Sequence, residues 1–170
     1  MKGWQKKYKF EVEIMRRKDR EITNKVEIIK VLNDCDTLRI AMTGEEYPYV
    51  VPVSFGTEVV DDRLIIYFHC AKEGMKLGLI QSNPNVCFEG DIFLGYEQTA
   101  HGITSRYRSV IGIGKCLIVE DTDEILRGLC CITEHCGFSD YPVEQCAGLQ
   151  RLNVYRIDVV SITGKNNLPV

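Results

Sequence analysis

LIIYFHCAKEGMKLGLIQSNPNVCF, residues 64–88, is the stretch on which the fold turns. Its first part, residues 64–70, is a short apolar run ending in His69 and Cys70, with the length and composition of a buried strand. Ala71, Lys72 and Glu73 make a small polar loop, and Gly74 opens a short helix over residues 75–81 with Lys76 in its first turn. Asn83-Pro84 closes that helix, since proline has no N–H to give and restricts the residue before it; a strand resumes at Val86. The first N–H groups of a helix lack partners within it and lie at the positive end of its dipole. A lysine there adds a full charge, so loop and helix start together suit an anion such as a phosphate. A surface strand-loop-helix with a solvated lysine is the plainer alternative.

Upstream, Asp19 followed by Ile22, Val26, Ile29 and Leu32 predicts an amphipathic helix that stops near Asn33-Asp34. Leu38, Ile40 and Met42 alternate with Thr37, Arg39 and Ala41, a strand with one buried face. Residues 44–48 read as a hairpin turn. Residues 49–55 return as a β-branched strand whose Pro52 removes a ladder donor and so belongs at an edge or bulge. Asp61-Asp62-Arg63 is the next turn. Downstream, residues 86–94 predict a strand kinked at Gly90, and residues 107–119 a long one bent or bulged at Gly112 and Gly114. Asp121 and Glu124 form a capping pair that opens a helix with Ile125, Leu129 and Ile132 on one face. Residues 152–162 are the last strand, ended by Thr163-Gly164. Short connections favour antiparallel pairing, and helices between some strands make the class α+β. Closure into a barrel best protects the edges of so small a sheet.

The 170 residues fit one domain, and 45% apolar with 26% charged residues is an ordinary globular balance. A net charge of −3 argues against a nucleic-acid partner held by the bulk field. The early basic residues, among them Lys2, Lys6, Lys7, Arg16 and Arg17, read as a solvated arm. No run nears the ~18 apolar residues of a membrane span, and with no apolar leader at the start a cytoplasmic location is expected. There the eight cysteines should be thiols or ligands rather than a disulfide framework. Residues 8–14 could add an edge strand or belong to a loose extension.

Residues 64–88 resemble the flavin-phosphate segment of the pyridoxamine 5'-phosphate oxidase-like split-barrel superfamily: strand, polar loop, Arg-Lys pair, short helix, Asn-Pro. Lys76 stands at the lysine, Met75 where the arginine is expected, and Asn83-Pro84 at the Asn-Pro. Further pieces in the same order are similar to the nitroimidazole-resistance (Nim-like) branch. They are MRRKDREI from Met15, YVVPVSF from Tyr49, YFH from Tyr67, YRSVIG from Tyr107 and TGK from Thr163. The branch customarily begins near the Met15 position, which makes residues 1–14 an extension and residues 15–170 a single domain.

The resemblance implies an antiparallel split β-barrel with flanking helices that binds flavin mononucleotide (FMN) between the two chains of a homodimer. Val51, Pro52, Val53, Ser54 and Phe55 would meet the isoalloxazine ring, partly through backbone groups. His69, Cys70, Ala71 and Lys76 would face the phosphate and ribityl side, and Tyr107 and Ser109 would come from the neighbouring chain. It also implies a flavin-dependent oxidoreductase passing electrons to a small acceptor such as a nitroaromatic, with His69 orienting groups or exchanging a proton. A thioether cannot grip phosphate as arginine does, so Arg39 or Arg106 is a candidate substitute for Met75. The C-terminal tryptophan and arginines of a true pyridoxamine-phosphate oxidase are missing after Thr163, and vitamin B6 oxidation is not expected. Two other classes stay open: a non-catalytic flavin- or haem-binding module, and a metal-binding redox sensor built on Cys130, Cys131, His135, Cys136 and Cys146. That cluster lacks paired C-x-x-C knuckles, and no metal is expected.

Overall fold

The computed structural model describes residues 15–168, so the readings made for residues 1–14 lie outside the described residues. The chain runs β1 (Glu21–Ile22), α1 (Lys25–Asn33), β2 (Leu38–Met42), β3 (Tyr49–Val53), β4 (Phe55–Val60), β5 (Arg63–Ala71), α2 (Met75–Ser82), β6 (Asn85–Thr99), β7 (Gly102–Ile118), α3 (Thr122–His135) and β8 (Leu152–Asn167). All pairings are antiparallel. The strand order is β3-β2-β6-β7-β8-β5-β4, with β1 on the far end of β8. The two edges of this sheet, β3 and β4, are consecutive in the chain and share the single link Ser54. The covalent chain therefore holds the edges together at that point, with no ladder between them. This is the split of an α+β split barrel.

Strand alternation sorts the side chains. Leu38, Ile40, Ile66, Phe68, Phe88 and Ile157 point inward and are fully buried. A second cluster of Tyr67, Leu129, Ile132 and Val154 lies outside the barrel wall, under α3. The helix can come so close because β4 presents Gly56, where an added Cβ would lie 2.2 Å from the Cys131 carbonyl carbon. The Tyr67 hydroxyl sits between Glu58 (3.1 Å) and Glu124 (3.2 Å), and burial with the Glu58 bond pushes its pKa up. Tyr67→Phe should cost about 0.5–1.5 kcal/mol, the net value of one hydrogen bond, since Arg156 still pairs with Glu124 at 2.8 Å. Urea denaturation checks it; a loss above about 3 kcal/mol would mean the carboxylates need the hydroxyl itself.

Several local expectations change. Ile22 belongs to β1, and α1 starts later because the Asn24 side chain accepts from Val26 N (2.9 Å) and Glu27 N. Its buried stripe is consequently Ile28, Val31 and Leu32, while Val26 is 76% exposed. The predicted strand over residues 49–55 breaks at Ser54, and Pro52 does sit on the edge strand β3. In β6 the irregularity falls between Phe93 and Gly95, with Leu94 the extra residue, rather than at Gly90, which packs on Cys35. The bulge expected near Gly114 is present, and the extra residue is Val160 on β8. That strand runs past Thr163-Gly164 to Asn167, because β1 and β7 pair along its end. Asp121 caps α3 through Glu124 N (2.9 Å), but the Glu124 carboxylate goes to Tyr67 and Arg156 instead of returning to the cap.

Candidate cofactor site

The seam at Ser54 organises the residues that the sequence singled out. Phe55 pairs with Phe68, so the next position along β5 facing the seam is His69. Cys70 and Ala71 end the strand against Asn153 and Leu152 of β8, and the chain turns through Lys72–Gly74 into α2. Lys76 in that first turn is close enough for its charge to act on His69 and Cys70. Val53, Ser54, His69, Ala71 and Lys76 thus gather at one corner of the barrel. Gly74 caps α2 without a side-chain bond, and the first turn holds no acidic residue. Both features leave N–H groups and positive potential facing outward.

Parity decides which groups can face a ligand. Pro52, Ser54, His69 and Ala71 are exposed, and Lys76 is half-buried. Cys70 points into the core at 6% exposure, and burial raises its thiol pKa. Phe55 is fully buried, with the His135 ring 4.2 Å away, and Val51 and Val53 pack on the core. These four residues meet the corner through their backbone. β3 has a ladder partner on one side alone, β2, so its other edge presents backbone N–H and C=O groups. His69 keeps solvent access, yet surrounding protein still desolvates its charged form. That, followed by the Lys76 charge, draws its pKa below the usual histidine value.

Tyr107 and Ser109 lie on β7, three strands from the Ser54 link by way of β3, β2 and β6, which is about 15 Å at roughly 4.8 Å per strand. Ser109 pairs with Lys165 near the end of β8, whereas Cys70 pairs with Asn153 near its start. The candidate substitutes for Met75 are committed elsewhere. Arg39 bonds Asp91 (2.7 Å) and Glu89 (3.0 Å) on the outer face of the sheet. Arg106 bonds Glu97 at 2.7 Å. Among the described residues no group of three or more His, Cys, Asp and Glu side chains is arranged to hold a metal. His135 instead lies on Phe55 and contacts the Asn33 carbonyl oxygen at 3.2 Å.

A groove of about 830 Å³ on the outer face of the sheet escaped the sequence reading; Met42, Tyr47, Pro48, Cys87, Ile113 and Val160 help line it. The signal available was the outward parity of Ala41, Cys87 and Ile113, small or apolar where a solvated strand face would carry charge.

Comparison with known proteins places this geometry. A solved 5-nitroimidazole antibiotic resistance protein candidate from Bacteroides thetaiotaomicron is 29% identical, with a TM-score of 0.69 over 86% of each chain. An FAD-binding protein from Mesorhizobium loti is 20% identical, with a TM-score of 0.61 over 88% of this chain and 98% of that one. An FAD and haem binding protein from Mycobacterium smegmatis is 16% identical, with a TM-score of 0.72 over 88% and 74%. No curated protein matches the chain. The profile of the family described as Pyridoxamine 5'-phosphate oxidase matches residues 24–166, from the cap of α1 to the end of β8 and so through the seam and its corner; the chain belongs to that family.

Proposed function

We propose that this protein binds FMN as a homodimer and reduces a small acceptor, of which a flat nitroaromatic is the first to try. The observation that carries the reading is the meeting, at one corner, of the free edge of β3, the end of β5 at His69 and the uncapped start of α2 with Lys76. The residues fit the cofactor. The N–H groups of α2 and the Lys76 ammonium suit its phosphate, and the unpaired backbone of β3 suits the polar edge of its ring. Bound flavin supplies the electron-transfer chemistry. The chain orients it, limits water at the seam and holds a proton-exchanging imidazole, His69, at the rim. Met75 is 66% exposed and offers no charge, so the grip on the phosphate rests on Lys76. In the resemblance Tyr107 and Ser109 come from the neighbouring chain, which supports a site completed by a second copy. A reducing cytoplasm, where the cysteines stay thiols, is the proposed setting.

Lys76→Ala should weaken FMN binding by about 10- to 150-fold, equivalent to ~1.5–3 kcal/mol for a hydrogen bond to a charged group. Riboflavin affinity should hardly change. Fluorescence titration with both ligands tests this, and equal affinity of the wild type for the two would sink the phosphate assignment. Relatives of this fold include a flavocytochrome from Azotobacter vinelandii as well as the FAD and haem binding protein, which motivates a second reading, a flavin or haem carrier without turnover. The absorbance spectrum of freshly purified protein separates the two cofactors, because haem gives a Soret band and flavin does not.

A further inference from the structure

Helix α2 lies across one mouth of the barrel, and strand parity decides what faces it. Buried Cys70 pairs with Asn153, and buried Phe68 with Tyr155, so both β8 side chains turn to the inside of the wall. Cys116 of β7 also points inward, and its N–H bonds the Pro84 carbonyl at 2.8 Å, fastening the exit of α2 to the end of β7. From the helix, Leu77 and Ile80 pack down onto the core. They do not fill the mouth. A cavity of about 510 Å³ remains between α2 and these strand ends, within the size range of small-molecule sites.

The lining has a definite chemistry. Leu77, Ile80, Pro84, Leu117 and Ile118 make its walls apolar, and Leu117 and Ile118 at the rim are 38% and 47% exposed. The polar groups are Lys72, Gln81, Asn153 and Tyr155, each able to donate a hydrogen bond. Among the described residues no acidic side chain lines the cavity, and Lys72 enters no ion pair. Tyr155 is 5% exposed, with its ring stacked on Phe68 at 5.4 Å and the Asn153 side chain beside its hydroxyl. Donors converge there on an apolar chamber with one unbalanced positive charge. Ser54, His69 and Lys76 of the flavin corner take no part in this lining. His69 and Cys70 are successive residues of β5, so their side chains lie on opposite faces of the wall.

We infer that this mouth is a second binding site, for a small organic carboxylate with an aromatic or branched apolar body. Lys72 supplies the opposite charge, Asn153 and Tyr155 donate to the carboxylate, and the body covers Leu77, Ile80, Leu117 and Ile118. The site stands apart from the flavin corner and does not depend on the cofactor reading.

Calorimetric titration of the full chain with 1-naphthylacetate and with 1-naphthylacetamide, the same body without the charge, tests it. The carboxylate should bind saturably and ~10-fold or more tighter than the amide, the scale of a charge-assisted hydrogen bond. Lys72→Gln, a change at an exposed position, should erase that preference. Tyr155→Phe should weaken the carboxylate ~3- to 10-fold, as loss of one hydrogen bond does. Its thermal midpoint should stay near wild type, because the stack on Phe68 is kept. Saturating FMN should leave the titration unchanged. Absence of saturable binding, equal affinity for the two probes, or a Tyr155→Phe titration identical to wild type would overturn the inference. So would displacement by FMN, which would put the probe in the flavin corner.

Discussion

Replacing His69 with alanine should slow reoxidation of the reduced flavoprotein by a nitroimidazole about 10²–10⁴-fold, the usual contribution of a positioned proton donor. FMN affinity should change little, because the phosphate side depends on Lys76 and the start of α2. The ring is exposed at the seam, next to the Ser54 link and within the field of Lys76. Its pKa lies below the ordinary histidine value, from desolvation first and the lysine charge second, so at pH 7 the ring is neutral. Donation requires the protonated ring, and the His69-dependent part of the rate should grow as pH falls below about 6.5. The linkage has the same direction. A folded pKa below the unfolded one means that protonation favours the unfolded chain, so this residue's contribution to stability is present above the unfolded pKa and lost as pH falls through the folded one. Anaerobic stopped-flow of the photoreduced protein between pH 5 and 8 measures both effects. A wild type that reoxidises no faster than free flavin would remove the enzyme reading and leave the carrier.

The second large effect concerns the fold. Gly56→Val should destabilise the protein by roughly 3 kcal/mol or more, at the upper end for forcing bulk into a packed interior. A Cβ at this position meets Cys131 C at 2.2 Å, Cys131 O at 2.3 Å and Ile132 N at 2.5 Å. These are backbone atoms of α3 and have no rotamer to escape into. The helix must move off β4 and β5 and open the cluster of Tyr67, Leu129, Ile132 and Val154. Gly78→Ala is the matched control, since nothing lies within 4 Å of its added Cβ in exposed helix α2. It should stabilise by about 0.5–1 kcal/mol through helix propensity. Urea midpoints of the two variants moving in opposite directions would separate packing from propensity. A Gly56→Val midpoint within error of wild type would show that α3 is free to shift.

The sequence by itself determined the strand-loop-helix of residues 64–88, the alternation in β2 and the restriction of Pro52 to an edge or a bulge. Each is a local consequence of backbone chemistry: a proline lacks its N–H, a strand alternates its faces, and an uncapped helix start exposes donors. The buried face of α1 was misread because Ile22 and Val26 fit helical spacing as well as Ile28 and Val31 do. Only the Asn24 cap and the β1–β8 pairing decide between them. Tertiary structure alone decided which side of each strand is inside. It therefore decided that Cys70 and Phe55 bring backbone to the corner while Ser54 and His69 bring side chains. It also set Ser109 three strands from Ser54, across β6, β2 and β3, and the bulge at Leu94 that gathers Phe93 and Tyr96 on one face. These depend on ladder register between residues distant in sequence. A single-residue slip in register exchanges the two faces of a strand, and spacing along one chain does not encode it.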